Sequence, residues 1–378
     1  TYDDTVHPKP VTAAAAASWK VLDKSFSAIS IGIAFHDANT GYTTFTDGAS
    51  APAIVKTVNG GLNWTNVNSS STLALPMGFA ASHGADGTFV GTSGLLANTY
   101  STDGDNFKSS FGGPLVSQSI KYEAGRFVVA GTDGACHSTE GALFLCTKKA
   151  PLKYKGTGRY ISSPSKDVIY LTAGRWPSSD KTASEPTAVR ELSRNLRVHS
   201  GKSGATRFGT VGGVAVPKDD VSGYTAELWK SIDGGETWTS MISDEGNFYF
   251  NDIHCVDETT CVAVGEGFAQ DGSASPGARV YVTTDGETFA LKYQGEDGSS
   301  LMAAKMISKT EHWAGGSAKA GGLTAPLLAL HSTDSGETWA NEHAGVIGQM
   351  ITAFDFVDGV GYATTVNALQ ISSLLKYA

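Results

Sequence analysis

Hydrophobic residues fall in short runs along the whole chain, and Gly, Asp, Ser and Thr stand between the runs. Cys261-Val-Ala-Val-Gly, Ala278-Arg-Val-Tyr-Val and Val360-Gly-Tyr-Ala-Thr-Thr are examples. Runs of this kind, bounded by turn formers, predict many short strands joined by tight turns. None approaches the ~20 apolar residues that cross a bilayer, so no membrane span is expected.

The turns repeat. Ser231-Ile-Asp-Gly-Gly-Glu-Thr-Trp238 and Ser332-Thr-Asp-Ser-Gly-Glu-Thr-Trp339 are the fullest copies. Shorter copies run from Ser101 to Phe107 and from Thr283 to Phe289, a worn one runs from Thr57 to Trp64, and Thr147 to Tyr154 keeps only the length and the closing aromatic. The chemistry is that of a hairpin: hydroxyl and carboxylate oxygens bond the turn backbone, Gly supplies positive φ, and the aromatic packs back into the core. Upstream of each turn lie further strands, as in Phe250 to Cys255, then Cys261 to Gly265, then Ala278 to Val282. Each unit is thus a four-stranded block of about 50 residues, the size of a propeller blade.

The closing aromatics at 64, 107, 154, 238, 289 and 339 count six units, and Ile351 to Thr365 begins a seventh. The expected fold is all-β: a single seven-bladed β-propeller of four-stranded antiparallel blades over residues 18–378. The N-terminal strand at Ser18-Trp-Lys-Val-Leu supplies the missing outer strand and closes the ring, which hides its edges. Residues 1–17 are read as an N-terminal extension. The long step from 154 to 238 places an insertion at about 177–207 in blade four, preferred to an eighth, degenerate blade because Ser178 to Pro186 is polar and turn-rich.

Composition narrows the function. Of 378 residues, 28 are basic and 37 acidic, a net charge of −9, which disfavours nucleic acid as a partner. Only 17% are charged and 45 are Gly, as expected for strands and turns, while 40% hydrophobic content excludes a mainly disordered chain. Cys136 and Cys146 lie ten apart, and Cys255 and Cys261 six apart. Both spacings suit disulfides across β-hairpins and neither matches a zinc or redox pair. With the sequons at Asn63 and Asn68, they point to a secreted, extracellular glycoprotein, read as a monomer. Asn68 is preferred as acceptor, because Asn63 lies inside a turn beside Trp64.

The eight-residue turns resemble Asp-boxes, the repeat (also called BNR) of sialidase-like propellers, secreted glycosidases and sortilin-type receptors. The longer pattern, Asn251-Asp-Ile-His-Cys-Val-Asp followed by Val262-Ala-Val-Gly-Glu and Thr283-Thr-Asp-Gly, is similar to photosystem II assembly-factor-like propellers. The resemblance covers nearly the whole chain. It implies that the turns face away from the ligand site, so that Asp233 and Asp334 are structural. Sialidase chemistry is not implied: no arginine precedes Arg126, and Arg159-Tyr-Ile departs from the Arg-Ile-Pro of sialidases. The paired cysteines and sequons sit badly with a photosystem role, so only the fold carries over.

On the opposite, loop face the sequence places Asp133, His137 and Glu140 from blade three, and Arg175 and Trp176 from blade four. Asp244 and Glu245 precede blade five, which adds Glu266, Phe268, Asp271 and Arg279. A glycosidase needs two carboxylates, about 5–5.5 Å apart for retention or 6.5–9.5 Å for inversion. Glu266 is the preferred single acid, expected near the central channel, with Asp133 or Asp244 as its partner and Asp47 as a further equivalent. Arg175 and Trp176 form a candidate sugar platform, and His137, Phe268 and Arg279 are further ligand-binding candidates. Arg190, Arg194 and Arg197 give the insertion a basic stripe. No His-Glu-x-x-His, no Gly-x-Ser-x-Gly and no phosphate-binding loop occurs, so no metal or cofactor is expected. Two functions follow: a secreted recognition module binding an extracellular carbohydrate or protein on the loop face, or a carbohydrate-active hydrolase or lyase built on Glu266.

Overall fold

A computed structural model describes residues 19–377, apart from 29, 47–51, 70–75, 84–86, 88, 95–97, 115–116, 132–133, 154–156, 176–223, 247, 268–276, 320–323, 343–344, 368 and 370. The described residues form strands and turns with no helix, arranged as seven blades of four antiparallel strands, to which the two-residue strands Asn68–Ser69 and Phe111–Gly112 add in parallel at the outer edges of blades two and three. The innermost strands are Ile33–Phe35, Pro76–Ala81, Ile120–Glu123, Thr157–Ser162, Phe248–Cys255, Ser300–Met306 and Gln349–Val357. Each contacts the next around the axis, and the seventh returns to the first.

The ring closes as the sequence suggests. Trp19–Ser27 pairs with Ser372–Tyr377 and becomes the outermost strand of blade seven, with Trp19 opposite Tyr377. Trp19 then lies within 5.4–5.9 Å of the rings of Trp313, Phe354, Phe356 and Tyr377. Chain entry and exit are therefore stapled by one aromatic cluster between blades six and seven.

The hairpin turns fold through the bonds their sequence predicts. Ser231 Oγ accepts the Gly235 N–H at 2.8 Å and donates to Asp233 Oδ1 at 2.8 Å. Asp233 in turn accepts the Thr237 N–H at 2.8 Å and its hydroxyl at 2.6 Å. Ser332 and Asp334 repeat this pattern. Gly235 must be glycine: its φ is +91°, and a Cβ would stand 2.4 Å from Thr147.

One repeat is relocated by the structure. In blade three the turn between the third and fourth strands is Ser138–Phe144, not Thr147–Tyr154. Ser138 Oγ accepts the Gly141 N–H at 2.9 Å, Gly141 has φ +84°, and Phe144 is the buried closing aromatic. Thr147 to Lys153 instead leads out of blade three toward blade four. Blade four pairs Ile169–Arg175 directly with Tyr224–Ser231, so residues 176–223 connect its second and third strands. The expected insertion at 177–207 and the extension at 1–17 lie outside the described residues.

Both disulfides form between residues directly opposite each other in a hairpin: Cys136–Cys146 across the outer pair of blade three, Cys255–Cys261 across the inner pair of blade five. Five inner strands also carry one extra residue near the axis, at Met77, Arg159, Asn251, Met302 and Thr352. Such bulges bend the strand and re-aim side chains. Thr352 and Met302 accordingly reach the axial cavity.

Candidate functional site

The inner strands enclose an axial cavity of about 150 Å³ to which all seven blades contribute. Its ionisable lining includes His83, Lys121, Glu123, Asp252, His254, Lys305 and Asp355. These side chains hold one another. Lys121 of blade three reaches past blade four to Asp252 of blade five, Nζ to Oδ1 3.1 Å, and also donates to the Ile253 carbonyl. Lys305 pairs with Asp355 at 3.1 Å.

The acids also cap backbone groups of the following blade. Asp252 Oδ2 accepts the Ala304 N–H at 2.9 Å, and Asp355 Oδ2 accepts the Phe35 N–H at 2.7 Å. Glu123 accepts from the Ser163 N–H and the Ser162 hydroxyl. Burial pushes the Glu123 carboxyl up, against the pull of Lys121. His254 is held well below the ordinary histidine range by burial, with Lys305 and Lys121 adding to it.

Glu266 lies off this cavity. It sits in the Cys261–Gly267 strand, opposite Tyr249, and is 2% exposed. Its Oε1 accepts the Tyr249 hydroxyl and its Oε2 the Ser300 hydroxyl of blade six. Burial raises its carboxyl, and these hydroxyls and Arg159 oppose the shift. The Arg159 guanidinium stands 4.8 Å over the Tyr249 ring, so a cation–π contact joins blade four to the group. Sequence reading missed Tyr249, Ser300 and Arg159, which come from a neighbouring strand and two other blades.

The remaining candidates do not converge on Glu266 among the described residues. Asp244 is half-buried on the outermost strand of blade four, opposite Ala226, and Glu245 beside it is exposed. His137 lies on the third strand of blade three, with burial and Arg126 lowering its pKa. Arg279 opens the third strand of blade five, its guanidinium 5.1 Å over Phe248 and 3.1 Å from the Tyr281 hydroxyl. The Arg175 backbone ends the second strand of blade four, but its side chain, like Asp47, Asp133, Trp176, Phe268 and Asp271, lies outside the described residues. Asn63 is exposed at its turn, whereas only the backbone of Asn68 is described, paired with Asn106 at the edge of blade two. No cluster of three or more His, Cys, Asp or Glu suited to a metal occurs among the described residues.

Fold and axis together define a seven-bladed β-propeller whose central charges are tied into the ring. Two solved structures share that architecture. "YCF48 bound to D1 peptide" superposes with a TM-score of 0.56 at 13% identity, covering 98% of each chain. YCF48 from Cyanidioschyzon merolae gives a TM-score of 0.52 at 14% identity, covering 96% of this chain and 98% of that one. No family model and no curated protein matches the sequence.

Proposed function

We propose that this protein is a secreted recognition module that binds an extracellular carbohydrate or protein ligand on the loop face of its propeller. The observation that carries this reading is the state of Glu266, the acid most suited to catalysis. It is 2% exposed and both of its oxygens accept hydroxyls from inside the fold, which leaves no open side for a substrate. The axial cavity gives further support. At about 150 Å³ it is smaller than the roughly 300 Å³ at which small-molecule sites begin, and its carboxylates already accept bonds from the fold. A ring of this architecture takes a peptide in the YCF48 complex with D1 peptide, so a protein segment is a ligand of reasonable size and shape. The paired disulfides fit an oxidising, extracellular setting.

The second reading is a carbohydrate-active enzyme using Glu266 with Asp133 or Asp244, and Arg175 to orient the substrate. Its one favourable observation is that burial raises the Glu266 carboxyl, as a general acid requires. The two readings separate in one experiment. The protein and Glu266→Gln are incubated with a panel of cell-wall, algal and animal polysaccharides, soluble fragments are sought by mass spectrometry, and retention on each insoluble glycan and on an immobilised peptide library is measured. Retention without fragments, equal in both proteins, is the expected result. Fragments that vanish in the variant would replace recognition by catalysis, and retention on nothing would remove the proposal.

A further inference from the structure

We propose that His254 is an acid-sensitive latch between blades five and six. The argument begins with a hydrogen bond. His254 Nδ1 accepts the backbone N–H of Met306 at 3.2 Å, which joins the inner strands of the two blades. An imidazole nitrogen accepts only when it carries no proton, so the hydrogen of the neutral ring resides on Nε2. Nε2 faces Glu123 Oε1 at 3.9 Å, too far for a hydrogen bond.

Protonating Nδ1 would place a donor against a donor and break the bond across the seam. The new charge would also meet two cations, Lys121 from blade three and Lys305 from blade six, both of which act on His254. The acids that face it are already engaged. Asp252, on the same strand, holds Lys121, the Ala304 N–H and the Ile253 N–H, and Glu123 of blade three holds Ser162 and Ser163. Asp355 of blade seven, which holds Lys305, Tyr160 of blade four, Tyr122 of blade three and His83 of blade two also line the cavity.

The sign follows from linkage. The unfolded chain protonates this histidine near its ordinary value of about 6.5, whereas the folded ring resists. The stability contributed by neutral His254 is therefore present above about pH 6.5 and lost as pH falls below it. Because the unfolded chain takes up its proton near 6.5, a histidine that stays neutral in the folded ring shifts the unfolding equilibrium by at most roughly 30-fold by pH 5. Glu123, raised by burial, contributes with the opposite sign, so the comparison must isolate the histidine.

His254→Gln does so, since its amide oxygen can accept the Met306 N–H and takes no proton. Urea unfolding of both proteins at pH 7.5 and pH 5, with amide exchange at Met306 and Ala304, tests the latch. The expected result is that the wild type loses folding equilibrium relative to the variant between pH 7.5 and pH 5, by up to roughly 30-fold. Protection at Met306 should fall relative to Ala304, whose N–H is held by Asp252 instead. Parallel pH profiles for the two proteins overturn the latch. If the variant does not fold, the wild-type ratio of Met306 to Ala304 protection decides alone, and a ratio constant from pH 7.5 to pH 5 overturns it.

Discussion

Replacing Trp19 by Ala tests whether the N-terminal strand closes the ring. Trp19 is 2% exposed and packs against Trp313, Phe354, Phe356 and Tyr377 at centroid distances of 5.4–5.9 Å. Truncating a buried Trp or Phe to Ala costs about 3–5 kcal/mol through lost transfer energy and the cavity left behind. The Trp19 indole N–H has no partner among the described residues, a cost of about 1 kcal/mol already present in the native protein. The expected loss is therefore about 3–4 kcal/mol. Urea unfolding monitored by far-ultraviolet circular dichroism measures it, with exposed Lys20→Ala on the same strand as a control within about 0.5 kcal/mol. An unchanged slope with a lower midpoint would mean that the ring unfolds as one unit. A separate early transition would mean that blade seven opens first. A loss below about 1 kcal/mol would refute the staple, because no well-packed Trp leaves so lightly.

Three further outcomes are expected. Ser138→Ala should cost about 1–2 kcal/mol by urea unfolding, since it strips the buried Gly141 N–H of its acceptor; no loss would return the third turn to the segment after Cys146. Removing both cysteines of either disulfide should cost about 2–3 kcal/mol from loop entropy, the ten-residue Cys136–Cys146 loop slightly more than the six-residue Cys255–Cys261 loop, measured against the oxidised protein. Glu266 has a raised carboxyl, so it favours the folded state at low pH and that contribution is lost as pH rises through its folded pKa. Glu266→Gln should therefore flatten the pH dependence of thermal midpoints above about pH 4.5, and an unchanged slope would show that Glu266 is not perturbed.

Much of this fold is legible because its signals are local. A Ser or Thr, an Asp or Asn and a Gly within eight residues form their turn by bonding one another, so five of the copies read directly from the chain. The third was missed because Glu140 replaces the Asp. Even so, Ser138-Thr-Glu-Gly-Ala-Leu-Phe144 keeps the spacing of Ser101 to Phe107, which could have found it. Cysteine pairing was likewise short-range. The axis was not legible, since Lys121 and Asp252 are 131 residues apart and nothing near either one marks it as facing inward. Glu266 shows the same limit. Its place at the end of an apolar strand is plain in the sequence, but the partners that occupy both its oxygens belong to Tyr249 and to blade six.

The axial charges are explained by what a ring of separate sheets lacks. Within a blade, backbone groups pair strand to strand, but an inner strand has no further strand on its axial side. Buried N–H groups there still need acceptors. Asp252 supplies one to Ala304, His254 one to Met306, Glu123 one to Ser163 and Asp355 one to Phe35. Each bond runs from one blade to the next: three to four, five to six, and seven to one. Lys121 and Lys305 then balance Asp252 and Asp355, whose burial would otherwise be costly. An acid or histidine at the axis is therefore first a seam between blades. That is why the concentration of ionisable groups at the centre is weak evidence for catalysis.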